Sequence, residues 1–280
     1  MREFNYSVII PFRDKLDLLI KAINSIPDRE DIEIIAVDNS DIPFGEPNMP
    51  VLSKARLVYL TSDPTKGAGH ARNVGLMQMK GLFLICLDAD DYFMPNAFTF
   101  FDRYLEQDYD IVFFDADSIK LSDGSRSTRH ETIHRYITGY HSHHKEDSLR
   151  YRFVNPICKM IRTDLIKDHS IQFDETPVAN DAMFSVKAGH YARKVTACDE
   201  VVYMITEGDS SSSLTKAKSA KNQFIRFQVA VRRYQFVTSV GRKDQQPKLI
   251  SFVGHAFLDF GFKEGIKWVK YAHEQGIKLL

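Results

Sequence analysis

The stretch Phe83-Leu84-Ile85-Cys86-Leu87-Asp88-Ala89-Asp90-Asp91 passes without gradation from apolar to acidic residues. Its apolar part has the length of a buried strand, and three carboxylates follow within four positions. Like charges this close raise one another's pKa unless a cation or hydrogen bonds compensate. A divalent metal is the simplest compensation, because carboxylate oxygens are its natural ligands. A solvated acidic turn is the alternative, but the buried strand and the third aspartate favour a metal site.

The first half of the chain alternates between strand and helix patterns. Strands are predicted over residues 6–12, 32–38, 57–61, 83–88 and 111–114. Helices are predicted from Leu16, over 67–79 with Gly81 closing the helix, and from about Asn96. This alternation predicts an α/β fold with a Rossmann-like, doubly wound, mostly parallel sheet. Ligands of such sheets bind beyond the carboxyl ends of the strands, so Asp38 and Asp88 are expected to face one crevice.

The middle of the chain has weaker patterns. Residues 118–150 show no clear periodicity and contain five histidines: His130, His134, His141, His143 and His144. Histidines four apart can bind a metal from a helix, but no cysteine or acid completes a ligand set, so a surface excursion is favoured. A short buried segment and a helix are expected over 155–168, a helix closed by Gly189 over 180–189, and a strand over 201–205. A polar loop with four serines follows.

From residue 217 onward the pattern is helical only. We therefore predict a catalytic domain over 1–216 and a C-terminal helical region over 217–280 that packs on it. Residues 263–276 are basic and amphipathic, and core packing is the default interpretation. The lysines beside Trp268 and Tyr271 also fit peripheral contact with an anionic membrane surface.

Composition excludes several classes of protein. Lysine plus arginine and aspartate plus glutamate both number 37, which gives no argument for nucleic acid as a partner. The three cysteines are scattered, as expected for reduced thiols in a cytoplasmic protein. No apolar segment has the length of a membrane span, and the N-terminus lacks a signal-peptide pattern. We expect a cytoplasmic protein, with peripheral association at the inner face of the membrane as an option.

Four segments, taken in order, resemble the inverting glycosyltransferases of family 2, which have the GT-A fold. They are Ser7-Val-Ile-Ile-Pro11, Ile35-Ala-Val-Asp38-Asn39-Ser40, Gly67-Ala-Gly-His-Ala-Arg72-Asn73-Val-Gly75 and Leu87-Asp88-Ala-Asp90-Asp91. Their order and spacing on one chain are specific, although each alone is weak. The resemblance is strong over the first half and looser to about Ser213. It implies transfer of a sugar from a nucleoside-diphosphate donor to an acceptor hydroxyl, with a UDP-sugar as the expected donor.

The resemblance also implies a donor site. Its donor-binding residues are Pro11, Asp38, Gly67, Arg72, Asp88 and Ala89. Asp38 is expected to accept hydrogen bonds from the nucleobase, and Arg72 to lie near the base and phosphates. In the family the second aspartate of the Asp-x-Asp pair binds Mn²⁺ or Mg²⁺, so Asp90 is the expected metal ligand with Asp88 beside it. Without the resemblance, Asp38 could equally be interpreted as a turn residue, and Arg72 as an exposed charge on a helix.

The family's general base is an acid at the start of a short helix, commonly in a Glu-Asp pair, and Asp181 occupies that place. Asn180 departs from the pair. Helix capping is the alternative role for Asp181. After the last strand the family often has Tyr-x-Tyr-Arg, whereas Tyr203 begins a segment without the arginine. Lys216 is a possible substitute, and the serine loop at 210–213 is expected to order over the donor.

Two other functions remain open. A haloacid-dehalogenase-like phosphatase would use Asp88 as nucleophile and Asp90 as acid and base. In that family the aspartate pair usually lies on an early strand, and Thr or Val stands two residues after the second aspartate. This chain has Tyr92 at that position. A non-catalytic relative would bind the nucleotide sugar without turnover. A dinucleotide oxidoreductase is disfavoured, because no Gly-x-Gly-x-x-Gly follows the first strand. By analogy the acceptor is a glycan or lipid-linked acceptor in bacterial surface polysaccharide synthesis.

Overall fold

The computed structural model describes residues 3–208 and 219–279. The strands are β1 (Phe4–Phe12), β2 (Ile32–Asp38), β3 (Arg56–Thr61), β4 (Gly81–Cys86), β5 (Tyr92–Phe93), β6 (Ile111–Lys120), β7 (Lys159–Arg162) and β8 (Val195–Glu207). The helices are α1 (Leu16–Asn24), α2 (Gly67–Gln78), α3 (Ala97–Asp102), α4 (Glu131–His143), α5 (Glu146–Tyr151), α6 (Thr163–Asp168), α7 (Ala182–Tyr191), α8 (Ala220–Ser239), α9 (Leu249–Phe260) and α10 (Phe262–Glu274).

All eight strands form one sheet in the order β3-β2-β1-β4-β7-β6-β8-β5. Strands β3, β2, β1 and β4 pair in parallel, and so do β6 and β8. Strand β7 is antiparallel to both β4 and β6, so β6 runs in the same direction as β4. Strand β5 lies antiparallel at the edge. The predicted α/β fold with a mostly parallel sheet is confirmed.

The sheet is held by strands that are apolar on both faces. Strand β2 is buried along its whole length, and β1 along all but one residue, as expected where helices cover both sides of a parallel sheet. Helix α2 approaches β1 closely: a Cβ on Gly75 would lie 2.7 Å from Ile9 Cγ2. Helix α2 is therefore packed directly on the strand next to β4.

Three local predictions were wrong. Gly81 does not close helix α2 but begins β4, where a Cβ would meet the backbone of Tyr6 and Ser7 at 2.6 Å. Gly189 lies inside α7, which continues to Tyr191. Residues 118–150 are not an irregular excursion, because β6 extends to Lys120 and α4 and α5 follow. Helix α4 buries only Ile133 and Ile137, which is why its periodicity was hidden among polar residues.

Helices α8, α9 and α10 build a second apolar cluster, in which Trp268 stacks on Phe227 at 5.1 Å between ring centroids. Trp268 is 1% exposed, so its side chain faces this cluster and not a lipid surface. Val229 of α8 packs against Ala182 and Met183 at the start of α7. The predicted boundary at residue 216 and the loop at 210–213 lie outside the described residues. No helix in the described part of the chain is long and apolar enough to span a bilayer.

Candidate active site

The carboxyl ends of β1, β2 and β4 lie side by side. Pro11 of β1 pairs with Val37, and β2 ends one residue later at Asp38. On the other side of β1, β4 ends at Cys86, and Asp88 follows in the next loop. The parallel strands thus bring Pro11, Asp38 and Asp88 to one edge of the sheet.

Asp38 is buried and shapes the loop that follows it. One carboxylate oxygen accepts a hydrogen bond from Ser40 N at 2.9 Å, and the other from Phe44 N at 2.8 Å and the Tyr59 hydroxyl at 2.7 Å. Burial raises the pKa of Asp38, but the hydrogen bonds from Ser40, Tyr59 and Phe44 outweigh it, so the pKa lies below its usual value. These hydrogen bonds compensate for the complete burial of the carboxylate.

Arg72 is only 6% exposed, so it is not the exposed helix charge that its position alone would suggest. Its guanidinium donates to Asp88 Oδ1 at 2.6 Å and to Asn180 Oδ1 at 3.1 Å. It also lies over the Phe173 ring, 5.4 Å from the centroid. Arg72 therefore links the acidic loop after β4 to the segment that precedes α7.

The Asp88–Asp90 pair carries the electrostatic strain predicted from the sequence. Asp88 is 35% exposed and has Arg72 as its ion-pair partner. The side chain of Asp90 reaches solvent and accepts no hydrogen bond from another described residue. Desolvation, and next the charge of Asp88, raises the pKa of Asp90. A cation beside Asp90 would remove this penalty.

Asp91 connects the acidic loop to strand β8. It is buried and accepts hydrogen bonds from the Tyr203 hydroxyl at 2.9 Å and from Thr206 N at 2.7 Å. The Tyr203 hydroxyl in turn accepts from Asp88 N at 3.0 Å, and the Thr206 hydroxyl donates to the Asp90 carbonyl. Burial, and then the charges of Asp88 and Asp90, raises the pKa of Asp91 well above its usual value. Strand β8 thus fixes the loop that carries all three aspartates.

Helix α2 holds the segment 173–180 against the acidic loop. The Asn73 amide donates to Phe173 O at 3.0 Å and accepts from Phe173 N at 2.8 Å. Gly69, one turn before Asn73 in α2, approaches the same segment: a Cβ there would be 2.0 Å from Asp174 O and 3.0 Å from Asn180 Cβ. The glycine-rich motif therefore allows a close approach of protein backbone, as expected of Gly69 in this motif.

The same segment is also contacted from other elements. Glu175 accepts from His70 of α2 at 2.7 Å, and Asp174 accepts from Arg232 of α8 at 2.7 Å. Gly67 begins α2 with a φ of 73°, which a glycine adopts without strain. Ala89 lies half-buried between the two aspartates.

Asp181 precedes α7 but does not cap it. No side-chain hydrogen bond to the first turn of the helix forms, and no other described residue donates to its carboxylate. Desolvation and the charge of Asp88 raise the pKa of Asp181, while Arg72 and Lys159 lower it. The net shift is upward, which makes Asp181 a stronger base than an ordinary surface aspartate.

Lys159 is a buried cation that the sequence reading missed. It is 3% exposed, and its ammonium donates to the carbonyls of Phe153 and Asn155, both at 2.6 Å. The Asn155 carbonyl also accepts from Ser185 of α7 at 3.3 Å. Desolvation lowers the pKa of Lys159 to about 7, and Asp181 opposes that shift. Its signal in the sequence was a charged residue directly before the apolar pair Met160-Ile161.

A metal would have to be held by few protein ligands. Across residues 3–208 and 219–279 no three His, Cys, Asp or Glu side chains converge on one point. Asp88 and Asp90 nevertheless fit Mn²⁺ or Mg²⁺, because both offer carboxylate oxygens and Asp90 lacks a neighbouring donor. Such ions are commonly bound by one or two carboxylates together with substrate phosphates.

The profile of "Glycosyl transferase family 2" matches residues 7–170, which include β1, α2 and the acidic loop. This chain belongs to glycosyl transferase family 2. The family resemblance predicted from the four motifs is confirmed, and the match favours glycosyl transfer over the phosphatase alternative.

Two curated relatives of this family 2 chain are named as glycosyltransferases. The poly(ribitol-phosphate) beta-N-acetylglucosaminyltransferase TarS of Staphylococcus aureus is 26% identical over 225 residues, which are 74% of this chain and 37% of TarS. The putative colanic acid biosynthesis glycosyl transferase WcaA of Escherichia coli is 29% identical over 105 residues, 36% of this chain and 38% of WcaA. The chain thus spans little more than a third of the length of these relatives.

Solved structures share the fold. A crystal structure of S. aureus TarS 1-349 in complex with UDP-GlcNAc is 18% identical with a TM-score of 0.60, and the match covers 98% of this chain and 92% of that one. Mannosyltransferase PcManGT from Pyrobaculum calidifontis, in complex with GDP-Man and Mn²⁺, is 14% identical with a TM-score of 0.54, covering 98% and 76%. At these identities the likeness shows the fold alone.

Proposed function

We propose that this family 2 chain transfers a sugar from a UDP-sugar to an acceptor hydroxyl with inversion, in the synthesis of a bacterial surface polysaccharide. The observation that carries the proposal is the position of Arg72, which binds Asp88 on one side and Asn180 on the other. It joins the expected donor residues to the expected base in one site. The complex of TarS with UDP-GlcNAc makes UDP-GlcNAc the first donor to test.

In the proposed reaction the acceptor oxygen attacks the anomeric carbon, and the bond from that carbon to the diphosphate oxygen breaks. The acceptor proton passes to the Asp181 carboxylate, whose raised pKa suits it to this role. A single in-line displacement of this kind inverts the anomeric centre. Asp88 and Asp90 would hold Mn²⁺ or Mg²⁺, which would neutralise the departing diphosphate.

Asp38 and Arg72 are proposed to bind the nucleotide. Asp38 is kept ionised by its hydrogen bonds, and a carboxylate can accept from an imide N–H such as that of uracil. Arg72 has a buried Nε with no partner among the described residues. Pro11, Gly67 and Ala89 would form the backbone surface against which the donor lies.

The test is nucleotide release from a panel of UDP- and GDP-sugars, with Mn²⁺, Mg²⁺ or EDTA. We expect metal-dependent release by the wild type and a loss of about 10²-fold or more for Asp90→Ala and Asp181→Asn. Asp17→Asn, an exposed carboxylate on α1, is the matched control. Wild-type turnover in both site variants would refute the assignment, and donor binding without turnover on any acceptor would identify a non-catalytic relative.

The pH profile adds a separate check on Asp181. A protonated carboxylate cannot accept the acceptor proton, so kcat/KM should fall as the pH decreases through the raised pKa of Asp181. The residual activity of Asp181→Asn should lack this acidic limb. The same limb in both proteins would show that another group is the base.

A further inference from the structure

The histidine-rich segment, to which the reaction above gives no role, contains a pair formed by an exposed histidine and a buried carboxylate. His134 of α4 donates from Nδ1 to Asp115 Oδ2 at 2.6 Å. The Asp115 side chain is 5% exposed, whereas that of His134 is 62% exposed. The other oxygen of Asp115 accepts from Ala116 N at 2.8 Å. A buried carboxylate therefore orients an imidazole that faces solvent.

This hydrogen bond fixes the chemistry of the exposed ring. A carboxylate can only accept, so Nδ1 of His134 must carry the proton. In the neutral ring Nε2 then presents a lone pair on the outer side. Thr138 Oγ1 lies 3.4 Å from Nε2, at a distance longer than a normal hydrogen bond. Nε2 is thus available to accept a hydrogen bond from a hydroxyl group.

Strand register places Asp115 at the level of the acidic loop. Ile85 of β4 and Val112 of β6 both pair with Met160 of β7, on its two sides. Asp88 and Asp115 each follow three residues later, so they lie at a similar height, two strands apart. Two strand spacings are about 10 Å. The pair therefore lies at about the level of the acidic loop, in the middle of β6.

Helix α4 also lies on the side of the sheet where the expected base is found. Tyr136 of α4 packs on Phe153 with ring centroids 5.8 Å apart, and the Phe153 carbonyl binds Lys159. Lys159 is close enough to Asp181 for each charge to act on the other. Arg129, just before α4, likewise acts on Asp90. Helix α4, of which His134 is an exposed residue, thus packs on the element that leads to Lys159.

We propose that His134, oriented by Asp115, is an acceptor-binding residue whose Nε2 accepts a hydrogen bond from a hydroxyl of a polyol or glycan acceptor. This inference rests on the proposed glycosyl transfer. It assigns the acceptor side of the site to α4, while the donor side is formed by α2 and the acidic loop.

The test separates the two nitrogens of the ring. His134→Asn retains a donor near the position of Nδ1, so it can still bind Asp115, but it lacks the outer nitrogen. His134→Gln places its amide near the position of Nε2. His143→Ala, an exposed histidine at the end of the same helix, is the matched control. Binding of ribitol 5-phosphate and of methyl glycosides is followed by ligand-detected NMR, binding of UDP by calorimetry, and acceptor KM by nucleotide release.

We expect His134→Asn and His134→Ala to weaken acceptor binding and raise the acceptor KM about tenfold, the effect of one lost hydrogen bond. UDP affinity and donor hydrolysis by water should stay within twofold of wild type, and His134→Gln should recover part of the loss. Wild-type acceptor binding in His134→Asn would overturn the proposal by showing that the histidine only supports Asp115. Failure of the wild type to bind any hydroxylated probe would overturn it too. Absence of nucleotide release from every donor would refute the glycosyl transfer instead, and the NMR comparison would still decide the role of His134.

Discussion

A substitution at Gly69 tests directly how α2 positions the segment 173–180, which precedes Asp181. In Gly69→Ala the new Cβ would lie 2.0 Å from Asp174 O, whereas non-bonded carbon contacts are about 3.5–4.0 Å. The segment 173–180 must therefore move by about 1 Å or more. Overpacking of this kind costs about 1–3 kcal/mol, and replacing a helical glycine by alanine returns about 1 kcal/mol. The net loss of stability should be about 0–2 kcal/mol.

The matched control is Gly254→Ala in α9, where a Cβ would have no atom within 4 Å. This variant should be more stable than the wild type by about 1 kcal/mol. The two variants should thus differ by about 1–3 kcal/mol in urea unfolding. Because a misplacement of about 1 Å can cost about 10²-fold in rate, Gly69→Ala should also lose most nucleotide release while Gly254→Ala retains it. Wild-type rate and stability in Gly69→Ala would refute the role of this contact in placing Asn180 and Asp181.

Two further predictions concern buried polar groups. The folded pKa of Lys159, about 7, lies below its ordinary value of 10.5, so between those values the unfolded chain binds more protons and stability rises with pH. Relative to Lys159→Met, the wild type should gain about 2 kcal/mol between pH 7 and 9 in urea unfolding; parallel curves would show that Lys159 stays charged. Tyr203→Phe removes the hydroxyl between Asp88 N and Asp91 and should cost about 1–3 kcal/mol. It should also weaken metal-dependent nucleotide release. The control Tyr104→Phe changes a half-buried tyrosine in the turn after α3 and should leave that release unchanged.

The sheet could be predicted from the sequence because its strands are buried on both faces. Their apolar runs are continuous, as over Ile32–Asp38, and turn residues separate them. Helices α4 and α5 were missed for the opposite reason. Helix α4 buries two isoleucines and presents polar residues elsewhere, so its apolar stripe is too narrow to recognise.

The candidate site was predictable only where it is continuous in sequence. The acidic loop forms one segment, and its charge repulsion can be inferred from spacing alone. The contacts that assemble the site join residues about 100 positions apart, such as Asn73 with Phe173 and Tyr203 with Asp91. No local pattern contains such pairs. Asn180 illustrates the limit: the sequence shows a missing acid, and the structure shows an amide that binds Arg72.

Two parts of the chain that are far apart in sequence contact the segment before Asp181. Gly69 and Asn73 contact it from α2, and Arg232 of α8 holds Asp174. Val229 of α8 also packs on Ala182 and Met183, directly after Asp181. A change in the C-terminal helices can therefore reach the proposed base without touching the strands that lead to the acidic residues. Under the proposed function, relatives whose chains differ after β8 could therefore bind different acceptors while keeping the same nucleotide-binding residues.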